Sequence, residues 1–181
     1  DQEALFDLRA SLRTSHAIIV FFKQTGEGIY PQLKLLAADV FLPDELLPKA
    51  DKIIDDKGII KSSASDKLTD IRKQLEAKHR QVQKETKKAF EKAKKSKWIP
   101  ENAEITIRNG RSVIPLNAAD KRALSGIIHD ESSTGQTVFV EPIGSFEVNN
   151  QIRELENEER REIIRILTIF TDTLRPYFYE L

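Results

Sequence analysis

Apolar residues between Gln2 and Lys23 stand at Leu5, Leu8, Leu12, Ile19 and Phe22, a helical spacing. Gly26 and Gly28, followed by Pro31, break it, and a short helix is predicted over Pro31 to Ala38. Pro43 suits the first position of a further helix, with Leu46, Leu47, Ala50, Ile53 and Ile54 on its buried side. Asp55-Asp56-Lys57-Gly58 reads as a turn, Gly58 supplying the permissive backbone. Residues 1–62 are thus predicted to form a helical platform.

From Ser63 to Trp98 no Gly or Pro occurs. Ser63 is a plausible cap, with Asp66 three positions on. Leu68, Leu75, Val82 and Ala89 fall seven apart, and Ile71 adds a neighbouring contact. Lys78 and Glu85 occupy the expected second positions, so the seam is weaker than a true heptad. A helix of roughly 34 residues spans about 50 Å and needs a partner stripe. A return run supplies one with Val148, Ile152, Leu155, Ile163, Ile166, Phe170 and Leu174, spaced by threes and fours apart from an interruption at Glu159. An antiparallel two-helix arm over residues 63–98 and 147–181 follows.

Between the arms, residues 99–146 change period. Glu104 to Arg108, Arg111 to Pro115, Gly126 to Asp130 and Thr137 to Glu141 read as strands. Asn109-Gly110 is a two-residue hairpin signal, and Ser133-Thr134-Gly135-Gln136 is the turn joining the last pair. A sheet this small needs docking on the arm, with Trp98 and Pro100 at the junction. The predicted fold class is mainly α with an inserted four-stranded β domain. Two helices carrying a small domain at their far end make a lever rather than a pocket, suited to gripping something large.

Charge refines this picture. Lys plus Arg and Asp plus Glu both number 29, so bulk charge names no partner. Lys67 to Lys97 carries net plus eight, whereas Glu147 to Glu162 carries net minus three. Opposite signs favour pairing of the arms at about 0.2–1 kcal/mol per exposed pair. The surplus lies at Lys84, Lys87, Lys88, Lys92, Lys94, Lys95 and Lys97. No run approaches the roughly 18–20 apolar residues of a membrane span, so no membrane partner is expected. Cys is absent, which excludes disulfides and thiolate metal sites and fits a cytoplasmic protein. The chain begins at Asp1 and contains no Met, as expected of a piece of a longer protein.

The order of motifs resembles a known family. Gly110-Arg111-x-Val113-Ile114-Pro115 is followed by Gly126-Ile-Ile-His129-Asp130-x-Ser132-x-x-Gly135-x-Thr137-x-Phe139-Val140-Glu141-Pro142. Asn149-Asn150-x-x-x-Glu154-Leu155 and Glu158-Glu159-x-x-Glu162-Ile163 come next; upstream stand Ile54-Asp55-Asp56-Lys57-Gly58 and Ser63-Ala64-Ser65 with Leu68, Ile71 and Arg72. Together they resemble the MutS superfamily, most closely its second bacterial branch, MutS type two. The resemblance implies a helical core and lever interrupted by a β clamp. It implies a homodimeric parent ATPase using ATP and Mg²⁺, with a separate Smr-type nuclease domain. It also implies ties to branched or mismatched DNA, restraint of recombination, and rescue of stalled ribosomes through ribosomal RNA. The chain itself holds no Gly-x-x-x-x-Gly-Lys-Ser/Thr loop, so no cofactor, metal or catalytic residue is expected within it. Leu116-Asn117 departs from the Val then Lys that often follows the proline in that family.

Candidate residues follow. Lys87, Lys88, Lys92, Lys94, Lys95 and Lys97 suit phosphate contact, since neutralised phosphates release counterions irrespective of sequence. The alternative is a solvated helix face partly paired with Glu147, Glu154 and Glu156. Arg108 and Arg111 flank the hairpin turn; they reach a nucleic-acid backbone, or Arg108 is an ordinary strand charge and Arg111 is held by Glu141 or Glu131. His129-Asp130-Glu131-Ser132 invites an enzyme reading, but triads are recognised by geometry, and strand neighbours face opposite ways. Asp130 and Ser132 are expected to cap a turn, while Gly110, Pro115, Gly126, Gly135 and Pro142 shape the backbone. Glu158, Glu159 and Glu162 are expected to balance Arg160, Arg161, Arg165 or lysines of the outgoing arm.

Overall fold

The computed structural model describes residues 1–26, 28–38 and 40–178, so the last three residues of the predicted return arm lie outside it. The five helical and four strand runs of the sequence reading reappear among the described residues, within a mainly α fold carrying one four-stranded antiparallel sheet. The chain divides into two compact units, Asp1–Asp70 with Glu159–Leu181, and Ile71–Glu158.

The first unit begins with α1 (Gln2–Gln24), whose N-terminus is capped by the Asp1 carboxylate accepting from the Ala4 N–H at 2.9 Å. Its buried positions are Leu5, Arg9 and Leu12. Arg9 sits in an apolar stripe because its guanidinium donates to the Ile54 carbonyl at 2.9 Å and to Asp56 at 2.6 Å. After α2 (Pro31–Ala38), α3 runs over Leu46–Ile53. Pro43 therefore lies a turn before the helix, its carbonyl accepting from Leu46, rather than at the first helical position. Asp55 closes the following turn by accepting from the Lys57 and Ile59 N–H groups. Leu5, Ala50, Ile54, Ile60, Leu68, Ile166 and Phe170 form this unit's core. Each of the Leu, Ile and Phe side chains among them contributes about 1.5–3 kcal/mol by leaving water.

The long helix α4 spans Asp66–Lys95. Its cap is Ser65, not Ser63: Ser62–Ala64 form a 3-10 turn, and the Ser65 hydroxyl accepts from the Leu68 N–H at 3.0 Å. Ser65 is favoured because the same hydroxyl donates to the buried carboxylate of Glu162 at 2.7 Å. The helix stops at Lys95 instead of reaching Trp98. Lys97 takes φ 59°, and the Trp98 and Lys97 N–H groups donate to the Ala93 and Lys94 carbonyls. That is a Schellman stop with lysine where glycine is usual.

In the second unit β1 (Thr106–Arg108), β2 (Arg111–Asn117), β3 (Gly126–Glu131) and β4 (Thr137–Pro142) pair in the order β1-β2-β4-β3. Asn109 and Gly110 both have positive φ, 51° and 74°, as a type I′ hairpin turn requires. Pro115 pairs with Phe139 on β4, and β1 ends opposite Val113, so the missing N–H falls where no strand adjoins on that side. A bulge between Ile128 and Asp130 leaves His129 without an opposite residue. Gly126 is required by space, since an added Cβ would stand 2.2 Å from the Glu141 carbonyl oxygen. Ile114, Leu116, Val138 and Val140 bury the sheet against Ala93, with Ala89, Phe90, Trp98 and Ile99 alongside.

The last long helix, α5 (Ile143–Leu174), starts directly after β4, earlier than its apolar spacing announces. Gly144 and Ser145 lie in its first turn, where Ser145 shares a hydrogen bond with Thr86 at 2.9 Å. Within the second unit Ile71, Leu75 and Val82 of α4 pack with Val148, Ile152 and Leu155 of α5.

Candidate nucleic-acid interface

Apolar and small residues of α4 occupy its contact with the sheet and α5, so its lysines are turned outward. Lys84, Lys87, Lys88, Lys92, Lys94, Lys95 and Lys97 are all exposed. At about 100° per residue, Lys84, Lys88, Lys92 and Lys95 form one stripe, while Lys87 and Lys94, seven apart, form another. Among the described residues none of the seven makes an ion pair; the lysines that do are Lys49 and Lys67, in the first unit. Glu147, Glu154 and Glu156 therefore do not neutralise this charge: the helices meet through the apolar seam and the Thr86–Ser145 bond, which keeps these long polar side chains off the contact. Lys92 Nζ lies 5.8 Å from the centre of the Trp98 ring. Lys92, Lys94 and Lys95 also stand in the last turn, where cations complement the helix dipole by about 0.3–1 kcal/mol each.

The two arginines are engaged inside the sheet. Arg108 pairs with Asp130 at 3.1 Å, and its guanidinium lies 4.4 Å from the centre of the Phe139 ring. Arg111 donates to Glu141 at 3.3 Å. Glu141 is fully buried and also accepts from Asn149 of α5 at 2.7 Å, with His129 Nε2 2.7 Å from its other oxygen. This carboxylate hub joins β2, β3, β4 and α5. Sequence reading named it only as one possible partner for Arg111, because a buried Glu gives no signal until its donors converge.

The remaining polar candidates diverge. His129 meets Glu141, and Asp130 meets Arg108 and the Glu131 N–H. The Ser132 hydroxyl accepts from the Thr137 N–H at 3.0 Å across the Gly135 turn. No nucleophile–base pair arises among them. No group of three or more His, Asp or Glu side chains converges to hold a metal among the described residues. Nor is any helix among them long and apolar enough to cross a membrane. Gly110 lies in the turn between β1 and β2, Pro142 ends β4, and Pro115 lies within β2.

Three features escaped the sequence reading. Lys121 and Arg122 are exposed and make no ion pair among the described residues, on the loop whose next residues, Ala123 to Ser125, face Lys88 and Lys92. Those residues border a cleft of about 290 Å³ between α4, that loop and the start of α5. A second, more polar cleft of about 490 Å³ is bordered by Lys94, Lys97 and Ile99 to Ala103. Nothing in a one-dimensional pattern brings those segments together.

Comparison with known proteins identifies the family. No family model matches the chain. It is 35% identical over 173 residues to the Endonuclease MutS2 of Ligilactobacillus salivarius, covering 94% of this chain and 22% of that protein. It is 33% identical to that of a Geobacillus species over 96% of this chain and 34% identical to that of Fusobacterium nucleatum over 96%, again with 22% of each relative covered. The chain thus spans about a fifth of the length of the curated relatives it matches. With its long α4 and α5 helices, the inserted sheet and these matches along nearly its whole length, the chain belongs, as a segment, to the MutS2 family.

Proposed function

We propose that this chain is the lever and clamp of a MutS-like protein and holds DNA, branched or mismatched, by sequence-independent contacts to the phosphate backbone. One observation carries the reading: the distal end of α4 presents six exposed lysines, Lys87, Lys88, Lys92, Lys94, Lys95 and Lys97, with no ion pair to an acidic side chain among the described residues. Such cations bind phosphate with strong salt dependence and little base preference. The relatives' name, Endonuclease MutS2, supports DNA as the partner. Catalysis is assigned elsewhere: the longer protein couples ATP and Mg²⁺ to grip through a nucleotide-binding domain, and cuts with a separate nuclease domain. The biological role is restraint of recombination or repair. Arg108 and Arg111 act as supports of the sheet rather than as phosphate contacts.

The test is binding of the chain to four-way-junction DNA, linear duplex and ribosomal RNA across about 50–300 mM salt. Binding that weakens with salt and is lost when Lys92, Lys94, Lys95 and Lys97 are changed to Glu supports the reading. The rank of the ligands decides between DNA and the ribosomal alternative. Absence of binding to all three at low salt overturns a grip by this segment.

A different observation favours a second role, assembly. Ile18, Phe21, Leu33, Leu36 and Val40 of the α1–α2 region are about half or more exposed, a contiguous apolar surface on a chain otherwise rich in charge. A second copy covering it would give the homodimer. Sedimentation without nucleic acid tests this: a dimer lost on changing Phe21 and Leu36 to Glu supports it, and a monomer at all concentrations sinks it.

A further inference from the structure

The stop of α4 puts a lysine where the backbone favours glycine. Lys97 takes φ 59°, in the left-handed region, and its N–H donates to the Lys94 carbonyl at 3.1 Å. A Cβ makes that conformation costly, which is why glycine usually closes such a stop. Asn102 also has φ 59°, in a turn closed by the Ala103 N–H donating to the Pro100 carbonyl at 3.2 Å. Asparagine tolerates this region through its short polar side chain, whereas lysine has no such compensation. Backbone strain of this kind collects where function needs a particular side chain.

Both residues border the more polar cleft, of about 490 Å³, together with Lys94 and Glu101. Ile99 and Pro100 add apolar wall. Lys94 and Lys97 are exposed and make no ion pair among the described residues. Two ammonium groups against one carboxylate leave the border with a net charge of plus one. A phosphodiester carries a single negative charge, so the cleft matches one backbone phosphate and not a polyphosphate. Its volume lies within the range of small-ligand sites, roughly 300–1,000 Å³, and admits a phosphate with the sugars on either side. Lys97 stands past the end of α4 and so belongs to neither of its lysine stripes. We propose that Lys94, Lys97 and the Asn102 amide form a seat for one backbone phosphate, and that position 97 keeps lysine, against the preference of its backbone, because the seat needs that ammonium. The proposal rests on the phosphate-binding reading above and adds to it the contact that fixes the strand in place, where the open stripes only attract it.

The test measures affinity for a linear duplex by fluorescence anisotropy at one salt concentration, and urea unfolding of the same proteins. Lys97→Gly relieves the backbone and removes the ammonium, so it is expected to raise the urea midpoint while weakening DNA binding roughly tenfold, as for one fully neutralised phosphate. Lys87→Ala, on an open stripe, is expected to weaken binding only about twofold, the size of an exposed charge contact. Asn102→Gly keeps the left-handed backbone and is expected to lose about threefold. A loss in Lys97→Gly no larger than in Lys87→Ala overturns the seat and leaves binding by the lysine stripes standing. A lowered urea midpoint in Lys97→Gly overturns the claim that lysine is held there against the backbone's preference. Failure of the native chain to bind duplex at low salt overturns both readings.

Discussion

The Ser65 hydroxyl donates to Glu162 at 2.7 Å while accepting from the Leu68 N–H, so one side chain caps α4 and ties it to α5. Arg165 completes the site with two bonds to the same carboxylate, at 2.6 and 2.9 Å. The Arg165 bonds hold the Glu162 pKa down at about 2, helped by Ser65 and opposed by burial.

Because the folded value lies below the ordinary carboxylate value of about 4.3, this site stabilises the fold fully above that pH. The stabilisation is lost as pH falls towards about 2. Urea unfolding at a series of pH values, with Glu162→Gln for comparison, measures it. The native chain's excess stability should be constant above about pH 5 and shrink steadily below it. A pH-independent difference would contradict the assignment.

Arg111 is expected to act on stability and not on grip. Arg111→Ala removes one of three donors to a buried carboxylate, a loss of about 2 kcal/mol. Denaturation should show that loss, while the salt slope of DNA binding stays at the native value. A slope reduced by about one would instead make Arg111 a phosphate contact.

Thr86 and Ser145 are a buried polar pair whose hydroxyls share one hydrogen bond at 2.9 Å. Thr86→Val alone strands the Ser145 hydroxyl and should cost about 1–3 kcal/mol; adding Ser145→Ala should recover most of it. Two simply additive losses would show that the hydroxyls are not coupled.

Gly126→Ala places a methyl 2.2 Å from the Glu141 carbonyl oxygen and 2.7 Å from the Val140 side chain. Backbone cannot retreat as a side-chain tip can, so a loss of about 3 kcal/mol is expected in thermal or urea unfolding. A neutral Gly126→Ala would mean that β3 shifts freely.

Much of the fold was legible from period alone. The Leu68, Leu75 and Val82 repeat, the return stripe from Val148 to Phe170 and the Asn109-Gly110 turn each carry their own physical signal, and each appears in the structure. Boundaries were less legible. The α4 cap fell to Ser65 because a residue almost a hundred positions away, Glu162, selects it. The start of α5 precedes the first apolar position of the return stripe, and the Ser145–Thr86 bond in its first turn has no local signal. For the site, net charge located the lysines but not their lack of partners. The roles of Arg108 and Arg111 depended on Phe139, Asp130 and Glu141, which the sheet register brings beside them.

The most direct test of the central claim is the salt dependence of duplex-DNA binding by the native chain and by a variant with Lys88, Lys92, Lys94 and Lys95 changed to Glu. Each phosphate neutralised contributes about −0.9 to the slope of log affinity against log salt, so a grip by these lysines predicts a slope of about −3 to −5. The variant should fall close to zero with its fold intact by circular dichroism. Equal slopes in the two proteins, or no binding by the folded native chain at low salt, would contradict the account.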